Sequence, residues 1–228
     1  MKAVILAGGT GTRLKPYTTI FPKPLMPVGQ RPILEIVINK LAEAGITDLI
    51  LAVGYLAELI NAFFNDGSRF NVHIQYLREE NPLGTAGALG LLHKDLTETF
   101  LVMNGDVLTT VDLKEMIKFH KNSHAAATVG VTKRSVKIDL GTIELSEDQK
   151  VLAYHEKPTL EYLVSMGVYI FEPEVACLIE PNQRIDLPDL IRMLCQKGSL
   201  VKGFLHQGYW LDIGRIEDYE IANKDFPL

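Results

Sequence analysis

Two fixed cations, Arg13 and Lys23, stand inside and just beyond a turn where glycine fills three of four positions, Gly8-Gly9-Thr10-Gly11. Glycine permits positive φ and lets backbone N–H groups approach an anion closely. Ahead of the turn, Lys2-Ala-Val-Ile-Leu6 reads as a short buried strand. A strand delivering such a loop, with two cations, makes a cradle for a polyphosphate. Further along, Asp106 follows the apolar run Phe100-Leu-Val-Met103 and the small pair Asn104-Gly105, so its carboxylate should point out of a strand tip. A strand-tip carboxylate beside a phosphate loop is placed to hold Mg2+. The rival role is a turn aspartate that caps the helix beginning near Asp112.

Spacing narrows the kind of cradle. A P-loop needs G-x-x-x-x-G-K-[ST], and the chain has none. The dinucleotide fingerprint G-x-G-x-x-G fits Gly9 and Gly11 but puts Leu14 at its third glycine, which disfavours a nicotinamide-dependent oxidoreductase. What remains is G-G-x-G-T-R-L over residues 8–14, followed by Phe21-Pro-Lys-Pro-Leu-Met-Pro27. This combination resembles the sugar-1-phosphate nucleotidyltransferase family, closest in character to its mannose-1-phosphate guanylyltransferase-like members, and the resemblance runs over nearly the whole chain. It implies a glycosyltransferase-A-like fold and an enzyme that moves a nucleotidyl group from a nucleoside triphosphate, with GTP favoured, onto a sugar-1-phosphate. Pyrophosphate leaves and a GDP-mannose- or GDP-heptose-type product forms. Leu6, Ala7, Gly8, Gly9, Gly11 and Thr12 would bind the nucleotide. Arg13 would stabilise the departing phosphates, and Lys23 would bridge phosphate oxygens.

Later motifs extend the resemblance. Gly208-Tyr-Trp-Leu-Asp-Ile-Gly214 looks like the family's W-x-D-I-G motif, whose aspartate completes the Mg2+ site. Asp212 is therefore the second metal ligand beside Asp106; its rival role is N-cap of a helix near 215. Gly84-Thr-Ala-Gly87 opens a helix in the loop that receives the base, so Gly84 and Thr85 join the nucleotide set, and the residue five before Gly84 reads the base edge. That residue is Glu79. Guanine offers adjacent N–H donors that a carboxylate accepts together, whereas uracil would confront it with carbonyls. Neighbouring Glu80 is the alternative reader. On the sugar side, Glu156-Lys157-Pro158 resembles the E-K-P motif that binds sugar hydroxyls and the sugar phosphate, and Gly141 matches a glycine that approaches the sugar. Ser165-Met-Gly167 stands where relatives usually carry Asn-Ala-Gly, which leaves the exact sugar open.

The elements that must hold these residues follow from periodicity. Strands are predicted at 2–6, 48–53, 72–76, 99–103 and 125–131, and helices at 32–44, 56–65, 85–94 and 112–122. Strands apolar on both faces and separated by helices indicate an α/β, doubly wound, Rossmann-like sheet, which binds ligands beyond its strands' carboxyl ends. Short strands at 140–145, 150–155 and 164–171 read as a small meander added for the sugar. Helices at 173–179, 187–197 and 215–223 and a strand near 199–205 complete the chain. The expectation is one nucleotidyltransferase domain over 1–228, with 1–135 mainly for the nucleotide and 136–228 mainly for the sugar and second metal ligand. Asp186-Leu-Pro-Asp189 looks like a helix start, a structural feature.

Composition excludes other classes. A net charge of −5, without a Lys/Arg cluster, argues against nucleic acid as a partner. Five apolar residues before Gly8 are too few for a signal-peptide core, and no apolar run reaches membrane-spanning length, so a cytoplasmic protein with no membrane partner is expected. Nothing in the chain would encode an added acyltransferase β-helix or regulatory domain, so one activity is expected. Cys177 and Cys195 read as small core residues without a disulfide. His73, His93, His120, His124, His155 and His206 show no metal-ligand spacing. Trp210 is expected beneath the metal site. Members of the family are often oligomeric, which leaves a homo-oligomer open, and the sequence marks no interface. Two other readings stay open: a uridylyl-, thymidylyl- or cytidylyltransferase, and a non-catalytic sensor of nucleotide sugars, which would usually lose one of Arg13, Lys23, Asp106 or Asp212.

Overall fold

A computed structural model describes residues 1–79 and 81–227. β1 (Lys2–Ala7) leads through the glycine turn and the short strands β2 (Pro27–Val28) and β3 (Arg31–Pro32) into α1 (Ile33–Glu43). β4 (Asp48–Val53), α2 (Ala57–Phe64), β5 (His73–Arg78), α3 (Gly84–Leu91) and β6 (Phe100–Asn104) follow. Next come β7 (Val107–Thr109), α4 (Leu113–Ser123), β8 (Ala127–Lys137), β9 (Thr142–Leu145), β10 (Val151–His155) and β11 (Thr159–Phe171). The chain closes with α5 (Pro173–Ala176), α6 (Leu187–Gln196), β12 (Val201–His206), β13 (Trp210–Asp212) and α7 (Ile216–Asp225).

The main sheet runs β12-β8-β11-β6-β1-β4-β5. β1 lies parallel to both β4 and β6, and β11 is antiparallel to β6 and β8. Side chains of a strand alternate between faces, and β1 divides accordingly. Ala3, Ile5 and Ala7 join one core with Leu34, Val37, Ile38 and Leu41 of α1, while Val4 joins a second core with Leu89, Leu187, Leu190 and Leu194. Helices thus cover both faces, as the doubly apolar strands required. From β1 the chain passes first to β4 on one side and later to β6 on the other. The crevice beyond their carboxyl ends is the switch point of such a sheet.

A third core positions the site. Leu14, Met26, Val28 and Ile33 pack with Leu108, Leu211 and Ile213. The exit of the glycine turn, the Pro-Lys-Pro segment and the Trp-Leu-Asp-Ile segment therefore share one apolar anchor.

Two expectations need correction, and one element was not foreseen. The strand at 164–171 is not part of an added meander: β11 starts at Thr159 and threads between β6 and β8. Val168, Ile170 and Phe171 are fully buried, the pattern of a central strand. Its first half pairs with residues 132–137 of β8 as an exposed ribbon whose mixed polar sequence hides the strand. Cys177 and Cys195 are free, as expected, but exposed: Cys195 lies just off the Leu187–Leu190–Leu194 stripe that α6 buries. The sequence also gave no sign of β7 and β13, which pair antiparallel with Asp212 opposite Val107.

Candidate active site

β1, β4 and β6 end side by side, with Leu6 in register with both Ala52 and Asn104. The three tips form the floor of two adjoining cavities. The first, about 270 Å³, is walled by Leu6, Gly8, Gly9, Ala52, Glu79, Pro82, Gly84, Thr85, Asn104 and Asp106. The second, about 250 Å³, is walled by the glycine turn from Gly9 to Arg13, by Lys23 and Pro24, and by Leu6, Ala7, Gly105 and Asp106. Leu6, Gly9 and Asp106 belong to both. Every residue expected to bind the nucleotide lines one cavity or the other.

Of the three glycines in the turn, only Gly11 uses the left-handed region, at φ +61°. A Cβ there would also stand 2.9 Å from Thr18 Cγ2. Thr18 is buried and donates its hydroxyl to the Gly11 carbonyl at 2.8 Å, which fixes that peptide plane. Gly9 serves differently: a Cβ at this position meets nothing within 4 Å, so the turn is open to the cavity.

Lys23 is buried, and its ammonium pairs with Asp106 Oδ2. Asp106 Oδ1 is buried and has no hydrogen-bond partner among the described residues. Asp212 reaches the same place through the β7–β13 ribbon, where Ile213 N–H donates to the Asp106 carbonyl at 3.2 Å. Burial pushes the Asp212 carboxyl above the usual range and the Asp106 charge adds to it, while Lys23 and Arg13 pull the other way. Arg13 lies against this segment, with Nη1 3.4 Å from the position a Gly214 side chain would occupy. Asp212 does not cap α7: the N-cap position is Arg215, and Asp218 Oδ2 accepts from the Arg215 N–H at 2.9 Å and the Gly214 N–H at 3.2 Å. Trp210, two residues before Asp212, donates its indole N–H to the Met166 carbonyl at 2.9 Å.

The base loop is tightly held. Glu79 faces the first cavity, and its Oε2 accepts the Leu83 N–H at 3.0 Å. Gly84 sits at φ +78°, where a Cβ would lie 2.6 Å from the Ile185 carbonyl. The alternative reader, Glu80, lies outside the described residues. Asp112 caps α4 by accepting from Glu115 N–H, so the helix-capping role once open to Asp106 is already filled.

The sugar-side residues are less convergent. Ser165 hydrogen-bonds the Tyr169 hydroxyl at 2.8 Å and lies two residues from Gly167, whose backbone packs on Asn104. Gly141, Glu156 and Lys157 sit on the β9–β10 hairpin and its exit, and belong to neither cavity wall. Glu156 accepts from the Tyr154 hydroxyl at 2.9 Å, and that hydroxyl fills the space a side chain at Gly141 would need. His155 is exposed near Glu144.

Two site residues escaped the sequence reading. Asn104 lines the first cavity, and its buried Oδ1 has no partner among the described residues. Its place directly before Gly105-Asp106 was the available signal. Thr18 was hidden because its contact with Gly11 is tertiary.

The family model described as "Nucleotidyl transferase" matches residues 2–227. The chain belongs to the nucleotidyl transferase family. It is 36% identical over its full length to a UTP--glucose-1-phosphate uridylyltransferase of Synechocystis sp., and 33% identical over 98% of its length to a mannose-1-phosphate guanylyltransferase of Mycobacterium tuberculosis. It spans 66% and 64% of those two proteins. The structure of HddC from Yersinia pseudotuberculosis complexed with GMP-PN covers 99% of this chain and is covered to 99% by it, with a TM-score of 0.77 at 26% identity. The doubly wound, glycosyltransferase-A-like architecture implied by the resemblance is thus the one this chain adopts.

Asp106 and Asp212 are of the donor type that suits Mg2+. That ion usually takes one or two protein carboxylates, and substrate phosphates and water supply the rest. Among the described residues no group of three or more His, Cys, Asp or Glu could hold a metal, so Asp106 and Asp212 stand as a pair. A buried acceptor without a partner, such as Asp106 Oδ1, is costly unless something binds it. Among the described residues no helix is long and apolar enough to cross a membrane.

Proposed function

We propose that the protein transfers a nucleotidyl group from a nucleoside triphosphate, preferably GTP, to a sugar-1-phosphate. The sugar-phosphate oxygen attacks the α-phosphorus, the α–β bridge breaks, and pyrophosphate leaves. The product is a nucleotide sugar of the GDP-mannose or GDP-heptose type. The observation that carries this reading is the meeting of Lys23, Asp106 and Arg13 in the wall of the glycine-turn cavity, with Asp212 close enough to feel the charges of all three.

In this reading the glycine-turn amides and Arg13 hold the β- and γ-phosphates and neutralise the charge that grows as they depart. Lys23 contacts the α-phosphate region from its buried position. Asp106 and Asp212 would hold Mg2+, whose chemistry when bound is neutralisation of phosphate charge during the displacement. The sugar phosphate is already ionised near pH 7, so no general base is needed. In the same reading Lys157 meets it from the hairpin exit, with residues 136–228 mainly on the sugar side and 1–135 mainly on the nucleotide side. Leu83 N–H occupies Glu79 Oε2, and Oε1 would accept from guanine. A cytoplasmic setting, where nucleotides and Mg2+ are supplied, goes with this chemistry, and a homo-oligomer is compatible with it.

Uridylyl transfer is a second reading. The engagement of Glu79 Oε2 by Leu83 leaves one carboxylate oxygen for the base, and the Synechocystis relative is named for UTP. Incubation with Mg2+, GTP or UTP, and mannose- or glucose-1-phosphate, with products weighed by mass spectrometry, decides between them. A nucleotide-sugar mass with either nucleotide supports the proposal. Its absence with every combination overturns it.

A further inference from the structure

Helix α3 begins the base loop and belongs to the nucleotide half, whereas α6 lies far along the chain. Their first turns cap each other. Asp186, the N-cap residue of α6, makes no side-chain cap to its own helix. Its Oδ1 instead accepts from Thr85 N–H at 2.8 Å and from the Thr85 hydroxyl at 3.2 Å. The Thr85 Oγ1 in turn accepts from Leu187 N–H, the first amide of α6, at 2.8 Å. Two flanking main-chain bonds complete the joint: Ala86 N–H to the Ile185 carbonyl at 3.0 Å, and Ile185 N–H to the Leu83 carbonyl at 2.9 Å. Residues 185–187 therefore grip Leu83, Thr85 and Ala86 together.

The first amides of a helix have no partner within it and are a ready site for anions. In α3 two of them, the Thr85 and Ala86 amides, are taken by Asp186 and Ile185, which favours the glycine turn as the site of the nucleotide phosphates. The Thr85 hydroxyl is likewise engaged as both donor and acceptor. The loop that depends on this joint carries Glu79, whose Oε2 is held by Leu83 N–H.

We infer that Asp186 is a positioning residue for nucleotide recognition, acting through Thr85 to hold the base loop and Glu79 in place. This rests on the reaction proposed above. Removing its carboxylate loosens a wall of the base cavity without touching Lys23, Asp106 or Asp212. The loss falls on nucleotide affinity and spares both the sugar-phosphate affinity and the chemical step.

The test is Asp186→Ala, Asp186→Asn and the double variant Asp186→Ala/Thr85→Ala, each assayed for steady-state kinetics and for direct GTP binding by titration. Asp186→Ala is expected to raise the nucleotide KM and Kd about ten-fold, with kcat within about two-fold and the sugar-1-phosphate KM unchanged. Asp186→Asn keeps an acceptor oxygen and should restore wild-type values. The double variant should be no worse than Asp186→Ala, because both act through one joint. Unchanged nucleotide affinity in Asp186→Ala, or an equal rise in both KM values, overturns the inference. GTP binding that weakens in Asp186→Ala, in a wild-type protein that turns over nothing, supports the joint and overturns the reaction.

Discussion

Ile213 donates its amide to the main-chain carbonyl of Asp106 at 3.2 Å, and this bond brings together two carboxylates that lie far apart in the chain. It belongs to the β7–β13 ribbon, whose Leu108 and Leu211 pack in the same core as Leu14 and Met26. The apolar anchor therefore fixes the separation of Asp106 and Asp212 before any ligand arrives.

Replacing Asp106 by Asn should leave the fold intact and lower turnover on the order of a hundred-fold or more. The check is kcat beside the Mg2+-dependent rise in melting temperature expected of the wild type. Both should be lost together, and wild-type turnover would remove Asp106 from the mechanism.

Asp212 should show an activity–stability conflict. Its raised pKa means that the fold disfavours the ionised form, so the charge carried near neutral pH costs stability. Asp212→Asn should accordingly melt at a higher temperature than wild type in the presence of a chelator, while turnover falls sharply. A lower melting temperature would show that the carboxylate contributes more by its contacts than it costs by its charge.

Glu79 is expected to set the base preference. In Glu79→Gln the amide oxygen can still accept from Leu83 N–H, so the loop should hold. The ratio of kcat/KM for GTP over UTP should fall roughly ten-fold. Competition between the two nucleotides gives the ratio directly, and an unchanged ratio would move base reading elsewhere in the cavity.

At the opposite end of the sheet, His120 is buried between the Thr128 hydroxyl at 2.8 Å and Glu172 Oε1 at 2.9 Å, and Thr99 also bonds Glu172. Breaking such a network leaves polar groups unpaired. His120→Ala should cost about 2 kcal/mol or more in denaturant unfolding. Activity per folded molecule should stay at the wild-type level, since Thr99 and Thr128 flank the ends of β6 and β8 far from the strand tips.

Much of the site was legible because its parts are local in sequence. The glycine turn, Lys23, Asp106 and the Trp-Leu-Asp-Ile segment each carry their chemistry within a few residues. The uninterrupted apolar run of β1 likewise foretold a sheet covered on both faces. What stayed hidden is tertiary. β11 carries a polar half and an apolar half, so only its buried end reads as a strand. Thr18 bonds Gly11 only because the intervening turn folds back, Asn104 is exposed to the cavity only by the strand tip it ends, and Asp186, whose partner Thr85 is remote in the chain, reads from sequence as an ordinary helix start. Gly141, Glu156 and Lys157 are legible by motif alone, and they line neither cavity.

The most direct measurement is pyrophosphate release with Mg2+, crossing GTP, UTP, CTP, ATP and dTTP against a panel of sugar-1-phosphates. The account predicts release that requires both substrates, is greatest with GTP, and disappears in Asp106→Asn. Nucleotide binding without pyrophosphate release from any pair would contradict it, and would make the protein a nucleotide-sugar sensor instead.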